Sequence, residues 1–158
     1  MSKRFLIIIS TITIATSLSA CTGAGNNAPT RLINQVTDGV ETKLVSDDNF
    51  VYIRNLLIVA EENGDATLVA TIVNQRDTDD ALLGVSINNA SFELGQKAYP
   101  VLLNMPVRFG GESANATAVL KGANLTPGNR VDVQLFLGRA GVATLNALVV
   151  SPDSQYAK

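Results

Sequence analysis

One side chain in this sequence stands in a setting that prescribes its chemistry. Cys21 closes the stretch Leu18-Ser19-Ala20-Cys21, behind an apolar run that begins at Phe5 and is preceded by Lys3 and Arg4. A short cationic start, an apolar run and small residues before a cysteine are the features an export signal peptidase reads. The thiol of Cys21 would then take an acyl chain. The apolar run of 16 residues contains Ser10, Thr11, Thr13, Thr16, Ser17 and Ser19. It falls short of the ~20 predominantly apolar residues that span a bilayer. Residues 1–20 are therefore expected to be a lipoprotein signal peptide, with the mature chain held at the extracytoplasmic face of the cell membrane by lipid on Cys21. The competing reading is an ordinary buried cysteine after an apolar helix.

Other candidates for chemistry are acidic or soft. Arg76-Asp77-Thr78-Asp79-Asp80 holds three carboxylates in four positions, and Glu61, Glu62 and Asp65 form a second acidic group. Neither has the ligand number or spacing of a calcium loop, so both are expected to be solvated turns. Met105 is the one methionine left after processing, in phase with Val101, Leu103, Val107 and Phe109, which predicts core packing rather than metal ligation. Three Asn-x-Ser/Thr triplets, at Asn89, Asn115 and Asn124, are read as chance in a bacterial chain. Gly110-Gly111 and Pro127-Gly128 are read as turns, away from any strand-to-helix junction that could seat a phosphate.

Composition narrows the function classes. The chain has no histidine and no tryptophan. Without histidine the commonest general base and the commonest metal ligand are missing, and neither Ser-x-x-Lys nor Gly-x-Ser-x-Gly occurs to support a histidine-free hydrolase. No catalytic residue, metal ligand or cofactor is assigned. The 12 basic and 14 acidic residues give a net charge of −2, and removal of Lys3 and Arg4 with the signal leaves 10 against 14, or −4. A mildly acidic surface argues against nucleic acid and against charge-driven binding to anionic headgroups. With its single cysteine acylated, the folded part has no disulfide and relies on packing.

The elements that would carry these residues are strands. Residues 21–34 are rich in Gly, Asn and Pro and read as a tether with a root-mean-square reach of roughly 20 Å. From 35 to 152 short runs of Val, Ile, Leu and Thr are separated by Gly, Asn, Asp and Pro, and 153–158 form a tail. Phe50 to Ala60 and Ala66 to Gln75 are expected to form a hairpin through Asn63-Gly64, both in positive φ. Further strands are expected at Ala81 to Asn88, Ser91 to Leu94, Tyr99 to Leu103 and Val107 to Phe109, with a break at Pro106. Val131, Val133, Leu135 and Leu137 alternate with Asp132, Gln134 and Phe136, as on a strand buried on one face, and Gly138 to Gly141 turns the chain into Val142 to Val150. Eight to ten strands without helices predict an all-β domain, an antiparallel β-sandwich or Greek-key barrel.

Several of these segments carry a resemblance. Val73-Asn74, Asp79-Asp80-Ala81-Leu82-Leu83-Gly84-Val85, Leu125-Thr126-Pro127-Gly128-Asn129-Arg130-Val131-Asp132-Val133-Gln134-Leu135-Phe136 and Ala140-Gly141-Val142 resemble the periplasmic copper chaperones of the PCu(A)C type. They are most similar to actinobacterial lipoprotein relatives of the LpqE type, over roughly Phe50 to Val150. The resemblance implies a cupredoxin-like, Ig-like Greek-key sandwich. It also implies where Cu(I) ligands would stand: a His after the Asp-x-Leu strand, a Met further on, and a His-x-Met pair before the Leu-x-Pro-Gly turn. This chain has Ala90-Ser91-Phe92-Glu93-Leu94-Gly95 in the first place and Ala116-Thr117-Ala118-Val119-Leu120 in the last, with no His or Met. The resulting expectation is a non-catalytic envelope module whose partners are the membrane, through Cys21, and another envelope protein. The alternative is a divergent metal-handling or oxidase-assembly accessory protein.

Overall fold

The computed structural model describes residues 38–155, and they are built of strands and turns. The expected signal peptide, Cys21, the tether, residues 35–37 and the end of the tail lie outside the described residues. Eleven strands follow in order: β1 Val40–Val45, β2 Phe50–Ala60, β3 Ala66–Asn74, β4 Asp80–Ile87, β5 Ala90–Ser91, β6 Glu93–Leu94, β7 Tyr99–Val101, β8 Val107–Phe109, β9 Ala118–Leu120, β10 Arg130–Leu137 and β11 Gly141–Val150. All belong to one sheet whose main path runs β5-β4-β10-β11-β2-β3-β9-β6. β1 adds to β2, β7 to β4 and β8 to β3. Because β7 and β8 also lie against each other, the sheet curls into a nearly closed barrel.

The all-β expectation holds, and the alternation in β10 puts Val133, Leu135 and Leu137 inside with Phe136 outside. The ladders are mostly antiparallel, as expected. The sheet is single and mixed, since β11 runs parallel to β2 with Leu148, Val149 and Val150 opposite Leu57, Ile58 and Val59. The residues explain why. Leu56 to Ala60 is apolar without alternation and buried at every position, as expected of a strand covered on both faces. Its inward side chains Leu56, Ile58 and Ala60 join the main core, while Leu57 and Val59 form a second small cluster with Val69 and Val150. The main core is filled by Phe109, Ile53, Ile72, Leu68, Leu82 and Leu135, each worth roughly 1.5–3 kcal/mol on burial.

β1 and β9 were not foreseen as separate strands. β1 is half-buried at most positions, so its pattern is weak, and β9 has only three residues. β2 changes partners along its length, pairing first with β1 and then with β11. The change falls at a bulge in the β2–β3 ladder between Arg54 and Leu57, where Asn55 adopts φ 50°.

The β2–β3 turn also differs from expectation. Only Gly64 has positive φ, and the loop is closed by Glu61 N–H donating to Asp65 O at 2.9 Å and Gly64 N–H donating to Glu61 O at 3.0 Å. Asn63 serves through its side chain, whose Oδ1 accepts from Asp65 N at 3.0 Å. The β10–β11 turn lies where expected, with Leu137 opposite Gly141 and Gly141 at φ 87°.

Candidate functional site

The segments Ala90–Gly95 and Ala116–Leu120, remote in sequence, meet in space. Ala90–Ser91 pairs with the edge of β4, Phe92 N–H donates to Val85 O at 2.8 Å, and the chain then crosses so that Glu93–Leu94 pairs with β9. In that ladder Glu93 faces Val119 and Leu94 faces Ala118, and Gly95 N–H donates to Thr117 O at 3.0 Å. The crossing ties one edge of the sheet to the other. It is therefore the place where two strand regions could jointly hold a ligand.

Tyr99 governs the interior of this closure. Its hydroxyl donates to Thr117 O at 3.1 Å and accepts from Thr117 N–H at 2.9 Å, so one buried phenol satisfies both backbone groups of Thr117. The ring packs edge-on against Phe109 with centroids 5.3 Å apart. A Cβ at Gly95 would strike Thr117 Oγ1 and come within 2.8 Å of the Tyr99 hydroxyl. The space between the two segments is thus occupied by backbone, a hydroxyl and a phenol. At the surface Lys121 Nζ lies 3.0 Å from Glu93 Oε2. This hydrogen bond and the accompanying charge attraction hold the Lys121 amine above the ordinary lysine value.

Beside the closure runs an open groove of about 470 Å³. Leu83, Phe136, Leu94 and Lys97 are among its walls.

The residues that carry the resemblance, by contrast, are structural. Asn74 is 1% exposed; its Nδ2 donates to Thr78 O at 2.7 Å and Val101 O at 3.1 Å, while its Oδ1 accepts from Arg76 N at 3.0 Å. It shapes the loop that leads into β4. Asp80, 6% exposed, was expected in a solvated turn. Instead its Oδ1 accepts from Ala81 N at 2.7 Å and Arg139 N at 2.9 Å, and its Oδ2 accepts from Ala140 N at 2.9 Å. One carboxylate thereby fixes the β10–β11 turn nearly sixty residues away.

The second acidic group behaves the same way in part. Asp65 Oδ1 accepts from Gly122 N at 2.9 Å and its Oδ2 from Asn63 Nδ2 at 2.9 Å, whereas Glu62 is exposed. Among the described residues no group of three or more His, Cys, Asp or Glu side chains converges on a point that could hold a metal ion.

Met105 corrects the expectation of core packing. It is 61% exposed, and Leu103 is 38% exposed, because β7 ends at Val101 and the chain turns before β8, so the two-residue phase is interrupted. Asn104, at φ 53°, donates its N–H to Asn74 O at 2.8 Å within that turn.

The three Asn-x-Ser/Thr positions owe their asparagine to the backbone. Asn89 and Asn88, at φ 68° and 49°, form the two-residue turn between β4 and β5. Asn115 Oδ1 accepts from Arg108 N at 2.8 Å and its Nδ2 donates to Pro106 O at 3.0 Å. Asn124, at φ 45°, donates its N–H to Gly64 O at 2.9 Å. Sequence reasoning missed Tyr99, Thr117 and Gly95 as a unit, and no local signal could have joined residues separated by so many positions.

Solved structures share this fold. The copper-bound PCuAC domain from PmoF2 is similar with a TM-score of 0.57 and 21% identity, over 70% of this chain and 99% of that one. The apo PCuAC domain from PmoF1 gives 0.58 and 18%, over 70% and 100%. The apo PmoF2 PCuAC domain gives 0.55 and 20%, over 66% and 92%. No family model matches the chain, and no curated protein matches its sequence. At these identities the likeness is one of architecture: the described domain has the β fold of these PCuAC domains.

Proposed function

We propose that this chain is a non-catalytic accessory module of the cell envelope, tethered by lipid on Cys21 at the extracytoplasmic face of the membrane and acting by binding another envelope protein. One observation carries the reading. The two segments that the family resemblance marks for copper ligands do come together, and they meet as a backbone ladder centred on Thr117, Gly95 and the Tyr99 hydroxyl. Cu(I) prefers thiolate, thioether or imidazole donors, and these groups are hard oxygen donors or none at all. The same proposal takes the curled sheet as a relative of the antiparallel Greek-key sandwiches of cupredoxin-like and Ig-like type.

Competition for Cu(I) against a chromophoric chelator tests the reading. The purified chain should leave the metal with the chelator. Stoichiometric retention that is lost in Met105→Ala would overturn the proposal. The anchor is tested separately: Cys21→Ser should abolish fatty-acid labelling and release the protein or leave it unprocessed, and acylated membrane-bound protein from that variant would sink the lipoprotein reading.

A second reading, a divergent metal-handling or oxidase-assembly accessory protein, draws on the copper-bound state of the PmoF2 domain and on the exposure of Met105. It requires a partner to supply the remaining soft donors.

A further inference from the structure

Six large apolar side chains stand exposed among the described residues, and three of them are neighbours: Leu83, Phe136 and Val142. Phe136 faces Val142 across the β10–β11 ladder and Gly84 across the β10–β4 ladder. Gly84 offers no side chain to cover the ring, since a Cβ there would sit 3.6 Å from it. A register shift between Phe136 and Leu137 leaves Leu83 unpaired, and Leu83 shares the walls of the adjoining groove with Phe136. The patch is rigid, because the turn between Phe136 and Val142 is fixed by the Asp80 carboxylate.

Two cations flank it. Exposed Arg139 occupies the turn between Phe136 and Val142, and Lys97 lines the groove with Phe136. The Asp80 carboxylate is turned inward onto backbone N–H groups, while the neighbouring Asp79 is exposed. An apolar centre with a cationic rim matches acyl chains below phosphate headgroups. Against a second copy of the chain, three side chains cover far less than the ~800 Å² per partner of a standard interface. A tethered domain needs less, because the tether holds it at high local concentration beside the bilayer. The 17 residues from Cys21 to Asp38 reach up to ~58 Å when extended. That exceeds the roughly 35 Å breadth of a domain this size, so any face can turn to the membrane.

We propose that the face bearing Leu83, Phe136 and Val142 is a bilayer-docking surface that orients the domain on its membrane, an inference that rests on the lipoprotein reading of Cys21. Net charge alone argued against headgroup contact; at this one face the exposed cations Arg139 and Lys97 offset it locally.

The test places a bimane label at Thr144→Cys, beside Val142 on the outer face of β11, or at Glu62→Cys. Glu62 lies beyond the far end of β11, about 27 Å away along the strand. Full chain recovered from membranes is reconstituted in phosphatidylethanolamine–phosphatidylglycerol vesicles carrying brominated acyl chains. Quenching at Thr144→Cys several-fold stronger than at Glu62→Cys is expected, and Phe136→Asp or Val142→Asp should abolish the difference while the protein stays with the vesicles. Equal or absent quenching at the two positions, or quenching unaffected by both aspartates, overturns the proposal. Failure of the anchor shows itself differently, as unacylated protein by mass and loss of flotation. Docking is then judged on Cys21→Ser protein tethered through an N-terminal hexahistidine tag to nickel-chelating lipid in the same vesicles, where equal quenching at Thr144→Cys and Glu62→Cys overturns it.

Discussion

The approach to β4 carries residues of the resemblance to copper chaperones and the β6–β9 closure is where the chain departs from it, and the two regions differ in kind. At the approach to β4, the side chains of Asn74 and Asp80 bond only to backbone, near and remote, holding the 76–78 loop and the β10–β11 turn. At the closure, the segments where the resemblance would place ligands contain no His or Met, and Glu93–Leu94 zips onto β9. A fold's recurrent residues therefore include those that build the scaffold as well as those that hold the cargo. In this chain the first kind is visible at Asn74 and Asp80.

That contrast can be broken most sharply at Asp80. Asp80→Ala strips the acceptor from three N–H groups and should cost about 3 kcal/mol, read as a lowered denaturant midpoint with an unchanged slope. A loss below ~1 kcal/mol would mean the turn stands without it. Asn74→Ala comes next, at about 2 kcal/mol, and Asn74→Asp should recover little, because a carboxylate cannot donate to Thr78 O and Val101 O.

The closure should prove softer. Gly95→Ala drives a methyl into Thr117 Oγ1 and the Tyr99 hydroxyl, costing roughly 1–2 kcal/mol, and Tyr99→Phe removes the bridge to Thr117 for about 1 kcal/mol. Both should accelerate amide exchange at Thr117 and Gly95 more than in β10 or β11.

The smallest effect is at Lys121, exposed beside Glu93. Because its amine is held above the ordinary lysine value, its contribution is complete at neutral pH and fades only as the solution becomes strongly alkaline. Solvent and salt screen the pair, so Lys121→Ala should leave the thermal midpoint unchanged at neutral pH.

Much of the barrel was legible in the residues. The alternation of β10, the Gly141 turn and the Pro106 break each express a local rule with a period or a φ requirement. The acidic clusters were legible only as turns. Which carboxylate stays in solvent and which is drawn inside depends on orphan N–H groups elsewhere, and Asp80 and Glu62 look alike from sequence. Met105 misled because a phase argument assumes an unbroken strand, whereas Asn104 at positive φ breaks it.

The sequence by itself determined that the chain is β-rich, that it has no histidine and that Cys21 follows Leu-Ser-Ala behind an apolar run. Those follow from residue types and near neighbours. Only the tertiary structure decided that β11 runs parallel to β2, that Ala90–Gly95 crosses to β9, and that Leu83, Phe136 and Val142 share one outer face. Strand partners are chosen by the packing of whole apolar faces at long sequence separation, and no local window contains that choice.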